Sequence, residues 1–194
     1  MKPSSTPRTL VIGGTGMLAG VCTALDRTGA FVLVHGRRPR RVEAVLNRCS
    51  DAARGWHADY RGPDFVAEAA RQTARHHIER VVMWLHEGGV PTLSAQLAAA
   101  FADAGVAQCV QVMSSSAGAV GSDEVARFRA VFTAHRLTWR AVVLGYIGRP
   151  GARTRWLSHS EIAAGVLDAL HDHRPLSIVG VIDGMGDRGS DSAP

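Results

Sequence analysis

The stretch LVIGGTGMLAGV, residues 10–21, places four glycines within twelve positions directly after an apolar run. A glycine-rich turn between a strand and a helix binds phosphate for a physical reason. Glycine lets the backbone approach closely, and the helix N-terminus presents unpaired N–H groups that carry partial positive charge. Gly13, Gly16 and Ala19 stand at GxxGxxA spacing, while Gly14, Gly16 and Ala19 fit GxGxxA. Such a match has meaning only between a strand and a helix at the head of a repeated βα pattern.

The rest of the chain supplies that setting. From Thr9 onward apolar runs and helical segments alternate, which is the pattern of βαβ units around a parallel sheet. Strands are expected over residues 9–12, 30–35, 55–60, 78–86, 108–116, 138–147 and 176–182. Helices are expected over 16–27, 39–48, 63–76, 91–104 and 123–135, the last capped by Ser122. Pro63 suits a first helical turn, where its missing N–H costs nothing. Ser158 and Glu161 in SHSE stand at capping-box spacing before Ile162, Val166, Leu167 and Leu170. Residues 1–7 and 184–194 lack apolar periodicity and read as a disordered arm and tail, leaving 8–183 as a single domain.

Composition narrows the function. No run of about 18 apolar residues is available for a membrane span, and the opening MKPSSTPRT lacks the apolar stretch of a secretory signal, so a cytoplasmic location is expected. The formal charge is +5, but the arginines are spread beside Asp and Glu along helical segments, which argues against a nucleic-acid groove. Cys22, Cys49 and Cys109 are isolated and read as buried, reduced thiols. No metal site is expected: His76-His77 and His171-x-His173 fall at helix ends, where positive charge is favoured. Trp139 and Trp156 read as packing residues.

The exception to the diffuse charge is GRRPRR, Gly36 to Arg41. In dinucleotide folds an acidic residue about 20 positions after the glycine motif holds the adenosine ribose, or an arginine there accepts a 2′-phosphate. The residues at that distance are His35, Gly36, Arg37 and Arg38, and the first carboxylate beyond them is Glu43. The spacing therefore points to NADP(H) in preference to NAD(H), with Arg37 and Arg38 as the phosphate contacts.

With the glycine turn, the arginine-bearing second strand and the Asp59-Tyr60 pair, nearly the whole chain resembles the short-chain dehydrogenase/reductase superfamily, in particular its small, atypical members with GxxGxxA-type turns. VMWLH and RTRWLSHSEIAAGV also resemble a small bacterial subgroup of that superfamily. The resemblance implies a Rossmann-type α/β fold: a doubly wound, mostly parallel sheet of about seven strands with helices on both faces. It implies that the main chain of Gly13, Thr15, Gly16, Met17 and Leu18 wraps a pyrophosphate, and that Asp59 and Tyr60 edge the adenine. Leu85 and His86, in WLHEGG, fall where the family ends its fourth strand beside the cofactor's ribose and nicotinamide. A homodimer or homotetramer built on the helices after the fourth and fifth strands is also implied, with the Ala-rich SAQLAAAFADAG permitting close packing.

One departure bears on chemistry. The family sets a serine after its fifth strand and a Tyr-x-x-x-Lys pair on the following helix, the lysine lowering the tyrosine's pKa so that it can pass a proton to a carbonyl. Ser114, Ser115 and Ser116 supply the serine, but EVARFRAVF puts Phe128 and Phe132 at about the place of the pair, and Lys2 is the sole lysine. Hydride transfer belongs to the cofactor, while the protein orients the substrate and supplies a proton. The candidates at strand ends are His86, whose imidazole titrates near neutral pH and has Glu87 beside it, Ser115, and Tyr146. The loop 148–155, with Arg149, Arg153 and Arg155, is the candidate lid over a small-molecule substrate. The alternatives are a nucleotide-binding regulator or redox sensor without turnover, and a non-redox enzyme such as a cyclase or dehydratase reusing the cleft.

Overall fold

The computed structural model describes residues 6–86, 91–115, 123–148, 155–172 and 174–182. Its centre is a seven-stranded sheet in which every pairing is parallel. In chain order the elements are β1 (Thr9–Ile12), α1 (Ala19–Arg27), β2 (Val32–Gly36), α2 (Pro39–Leu46), β3 (Arg54–His57), α3 (Phe65–Arg75) and β4 (Arg80–Trp84). There follow α4 (Thr92–Asp103), β5 (Gln108–Ser114), α5 (Asp123–Ala134), β6 (Thr138–Leu144), β7 (Tyr146–Ile147), β8 (Arg155–Trp156), α6 (His159–His171) and β9 (Leu176–Val179). The strand order is β3-β2-β1-β4-β5-β6-β9, with β7 and β8 forming a separate antiparallel pair. The order reverses direction at β1, so a crevice opens between the carboxyl ends of β1 and β4, where open α/β sheets bind ligands.

The strands are apolar because both faces are covered. Alternating residues feed two cores. Leu10, Ile12, Val81 and Met83 pack with Phe65, Leu97, Phe101, Phe128 and Phe132 from α3, α4 and α5. Val11 and Val82 pack on the opposite face with Val21, Val42, Ile162 and Val166 from α1, α2 and α6. The helices α1 and α6 touch without room to spare, since a Cβ on Gly20 would lie 2.8 Å from that of Ala163. The capping box at the head of α6 is present, with Ser158 and Glu161 bonded reciprocally. Its carboxylate also takes both guanidinium nitrogens of Arg155 at 2.8 Å, and these donors hold the Glu161 carboxyl far below the usual range.

Several expected boundaries move. Residues 13–18 form the turn itself, so α1 begins at Ala19 and not at 16. Phe31 closes the turn before β2, its carbonyl accepting from the Thr9 N–H, and the strand starts at Val32. Asp59 and Tyr60 lie beyond β3, because the Asp59 side chain accepts from the Arg61 N–H and its carbonyl from the Gly62 N–H, bending the chain away. Helix α3 begins at Phe65, two residues past Pro63. The largest change concerns Tyr146, expected at the end of the sixth strand. That strand stops at Leu144, since the Val181 carbonyl packs where a Cβ on Gly145 would stand, and the chain turns there. Tyr146 instead pairs with Trp156 and bridges to Val181. Trp156 is not a packing residue: it is 76% exposed on a two-residue strand. Trp139 does pack, its indole N–H donating to Gln111 Oε1 inside the core.

Cys22 and Cys109 are buried and Cys49 is half-buried, and all three are free. Among the described residues no helix is long and apolar enough to cross a membrane. Nor do three or more His, Cys, Asp or Glu side chains there converge as a metal ion would require. Glu87, Ser116, Ser122, Arg149, Arg153, His173, the arm up to residue 5 and the tail lie outside the described residues.

Phe132 is fully buried, and its ring stacks on Trp139 at 6.2 Å. Replacing it with alanine is expected to cost about 3–5 kcal/mol in urea unfolding, by lost transfer energy and the cavity left behind.

Candidate functional site

The glycines of the turn divide by what surrounds them. Gly13 has φ +79°, a left-handed conformation, and a Cβ there would meet the Trp84 carbonyl at 3.2 Å. Gly14 is walled by Cys22 Sγ and the Val11 carbonyl, which a Cβ would meet at 2.9 and 3.1 Å. Gly16 differs, because a Cβ there would meet nothing within 4 Å. The tight glycines build the turn, while Gly16 faces open ground. Among the described residues the N–H groups of Thr15, Gly16, Met17 and Leu18 donate to no protein group, and α1 has no capping side chain and no acid in its first turn. Unpaired donors, helix dipole and open space at one point form an anion cradle.

The turn is anchored by a residue whose role the sequence did not announce. His35, buried near the end of β2, receives the Gly14 N–H on its carbonyl at 2.9 Å and the Gly13 N–H on Nδ1 at 3.4 Å. Its Nε2 lies 3.0 Å from the Ala58 carbonyl and therefore carries the proton. The ring also packs against Trp56 and Phe65, at centroid distances of 4.5 and 5.2 Å. One neutral imidazole thus ties the glycine turn to the segment just before Asp59. Burial pushes its pKa down to about 4, against weaker opposing effects of the Ala58 bond and Asp59. A histidine ending a run of buried valines was the available signal.

Beside this anchor Thr15 rests on Gly36, where a Cβ would come within 2.4 Å of the threonine methyl. Arg37 and Arg38 follow at the head of α2, both exposed, and among the described residues neither side chain makes a hydrogen bond or ion pair. Asp59 is exposed, lining a cavity of about 530 Å³ with Trp56 and Phe65. Tyr60 lines another, of about 450 Å³, together with Arg61, Val66, His86, Thr92 and Gln96. A further groove, about 710 Å³, runs along β9 beside α6 and shares no residue with the glycine turn.

The strand ends bring the other candidates toward the same edge of the sheet. Leu85 is buried and His86 exposed just beyond β4, and Trp84 pairs with Val112 of β5. His86 Nε2 accepts the Trp84 indole N–H at 2.8 Å, with the rings perpendicular. Ser114 pairs with Leu144 at the ends of β5 and β6, and Ser115 follows, half-buried. Tyr146 stands farther out, on the β7–β8 pair, than a strand-end position would put it. On α5, Phe128 and Phe132 point into the core. His76, expected to profit as a cation at a helix end, instead stacks on Phe31, and burial with the neighbouring Arg75 and Arg8 lowers its pKa.

Solved structures share this architecture. A short-chain dehydrogenase from Streptomyces avermitilis matches with TM-score 0.66 and 14% identity over 92% of this chain and 89% of its own. A wide-type short-chain dehydrogenase/reductase from Veillonella parvula, in complex with NADP, matches with TM-score 0.64 and 12% identity over 92% and 95%. A short-chain dehydrogenase from Sphingobium yanoikuyae, in complex with NADPH, matches with TM-score 0.60 and 16% identity over 88% and 87%. No protein-family model and no curated protein matches the sequence. The fold is the doubly wound one on which these dehydrogenases are built.

Two measurements test the geometry. Gly16→Val should leave unfolding free energy within about 1 kcal/mol of the wild type, as at an open surface position, yet weaken the binding of an anionic probe such as pyrophosphate by about tenfold or more. The His35 ring is neutral in the folded protein down to about pH 4, whereas in the unfolded chain it takes a proton near pH 6.5. Its contribution is therefore present above pH 6.5 and is lost as pH falls toward 4, about 3 kcal/mol in all. Urea titrations of His35→Asn across this interval should show a correspondingly flatter pH dependence.

Proposed function

We propose that the protein is an NADP(H)-binding oxidoreductase of the short-chain dehydrogenase/reductase type, acting on a small molecule at the carboxyl ends of β4, β5 and β6. The observation that carries this reading is the anion cradle at residues 13–18: four N–H groups unpaired among the described residues and an open Gly16, at the switch point of the sheet. Neighbours of the same fold have been solved in complex with NADP and NADPH, which supports the cofactor class.

In this reading the main chain of Gly13 through Leu18 holds the pyrophosphate. Gly36 leaves room for Thr15 beside the ribose, Arg37 and Arg38 bind the 2′-phosphate, and Asp59 and Tyr60 edge the adenine. Leu85 and His86 border the ribose and nicotinamide. The cofactor, when bound, supplies or accepts the hydride. His86 and Ser115 stand at the strand ends to orient the substrate oxygen, and Ser115 or Tyr146, the latter farther out on the β7–β8 pair, would move its proton.

A second reading, a nucleotide-binding protein without turnover, is favoured by α5. That helix carries no tyrosine or lysine, and its i, i+4 phenyl pair is committed to the core.

Titration with NADPH and NADH, followed by nicotinamide fluorescence, tests the assignment. The double variant Arg37→Ala/Arg38→Ala should lose about 10–150-fold in NADPH affinity, the worth of one charge-assisted hydrogen bond or more, while NADH affinity changes by less than about threefold. Equal losses for the two nucleotides would overturn the 2′-phosphate assignment. A panel of carbonyl substrates that oxidises no bound NADPH would favour the second reading.

A further inference from the structure

His86 does not present a free imidazole. The Trp84 indole N–H can only donate, and it lies 2.8 Å from His86 Nε2, so that nitrogen must accept and the ring's proton must sit on Nδ1. This is the reverse of the tautomer that a free histidine side chain prefers in water. The arrangement has a rigid origin. Trp84 is the last residue of β4, paired through Val112 to β5, and its carbonyl lies directly beneath Gly13 of the turn. Residues 84 and 86 are two apart in the chain, and their rings meet edge to face at 5.1 Å. The indole is half-buried while the imidazole is exposed, making the tryptophan the fixed partner.

We infer that Trp84 is a positioning residue which commits His86 to act as a neutral hydrogen-bond donor through Nδ1–H, toward an acceptor oxygen of the bound molecule. The inference rests on the nucleotide-binding reading above for the identity of that molecule, and only for that. To carry a proton on Nε2 the ring must leave the indole, so in this geometry His86 orients an oxygen and the proton of any reduction comes from another group. Arg61 lines the same cavity as His86, which suits an acceptor that is polarised or anionic.

The first test is the nitrogen-15 spectrum of the histidine rings at pH 8, with the His86 signals assigned by their loss in His86→Asn. The expected result is a single Nδ1–H tautomer for His86 in the wild-type protein and a shift toward Nε2–H in Trp84→Phe. An Nε2–H tautomer in the wild type overturns the inference, whether or not the tryptophan variant folds. So does a spectrum unchanged by Trp84→Phe. The second test is NADPH affinity. An asparagine amide can offer a donor where Nδ1–H stood, so His86→Asn should stay within about threefold of the wild type, while His86→Ala loses about tenfold. Equal losses for the two variants overturn the donor role. If the wild-type protein binds no NADPH, the nucleotide reading fails while the ring spectrum still decides the tautomer.

Discussion

The two N–H groups at the head of the glycine turn both end on His35, and the site depends on that attachment. A turn with a left-handed residue at Gly13 has no repetitive hydrogen bonding of its own and needs an external partner to hold one shape. His35 gives it two acceptors, a main-chain carbonyl and a ring nitrogen. Because the ring's other nitrogen donates to Ala58, the same residue fixes the segment leading to Asp59 and Tyr60. Polar groups buried this deeply must be satisfied, and here each partner is a main-chain group of the glycine turn or of the segment before Asp59. The depressed pKa follows from the same burial and keeps the ring in the one protonation state that makes both bonds.

The glycines around this anchor serve different ends. Gly13, Gly14 and Gly36 are small because protein atoms press on them: the Trp84 carbonyl, Cys22 Sγ and the Thr15 methyl. Gly16 is small with nothing pressing on it. It stands beside open space, next to four N–H groups that have no partner among the described residues, which sets it apart from the glycines that only tighten the turn.

The sheet, its helices and the glycine turn were legible in the sequence because each rests on periodicity or spacing, which a chain displays directly. The first strand, the capping box at Ser158 and the arginines following the second strand are of this kind. What could not be read depends on contacts across the fold. The displacement of Tyr146 comes from the Val181 carbonyl filling the space beside Gly145, a contact between residues far apart in the chain. Trp156 resembled a core residue by type, but it sits exposed on a two-stranded pair outside the main sheet. The Trp84–His86 bond lies between near neighbours, yet its consequence for the imidazole depends on which ring nitrogen faces the indole.

The pairing of Ile147 with Arg155 has a consequence for how such a protein can diversify. Residues 146–147 and 155–156 meet in a two-residue antiparallel pair, and its second strand is held by the fork of Arg155 on Glu161 at the head of α6. Residues inserted or deleted between the two strands leave that pair where it is, because the entropy of closing a longer loop grows only with the logarithm of its length. The length of chain joining the pair can therefore vary while the seven strands beneath go on folding as before.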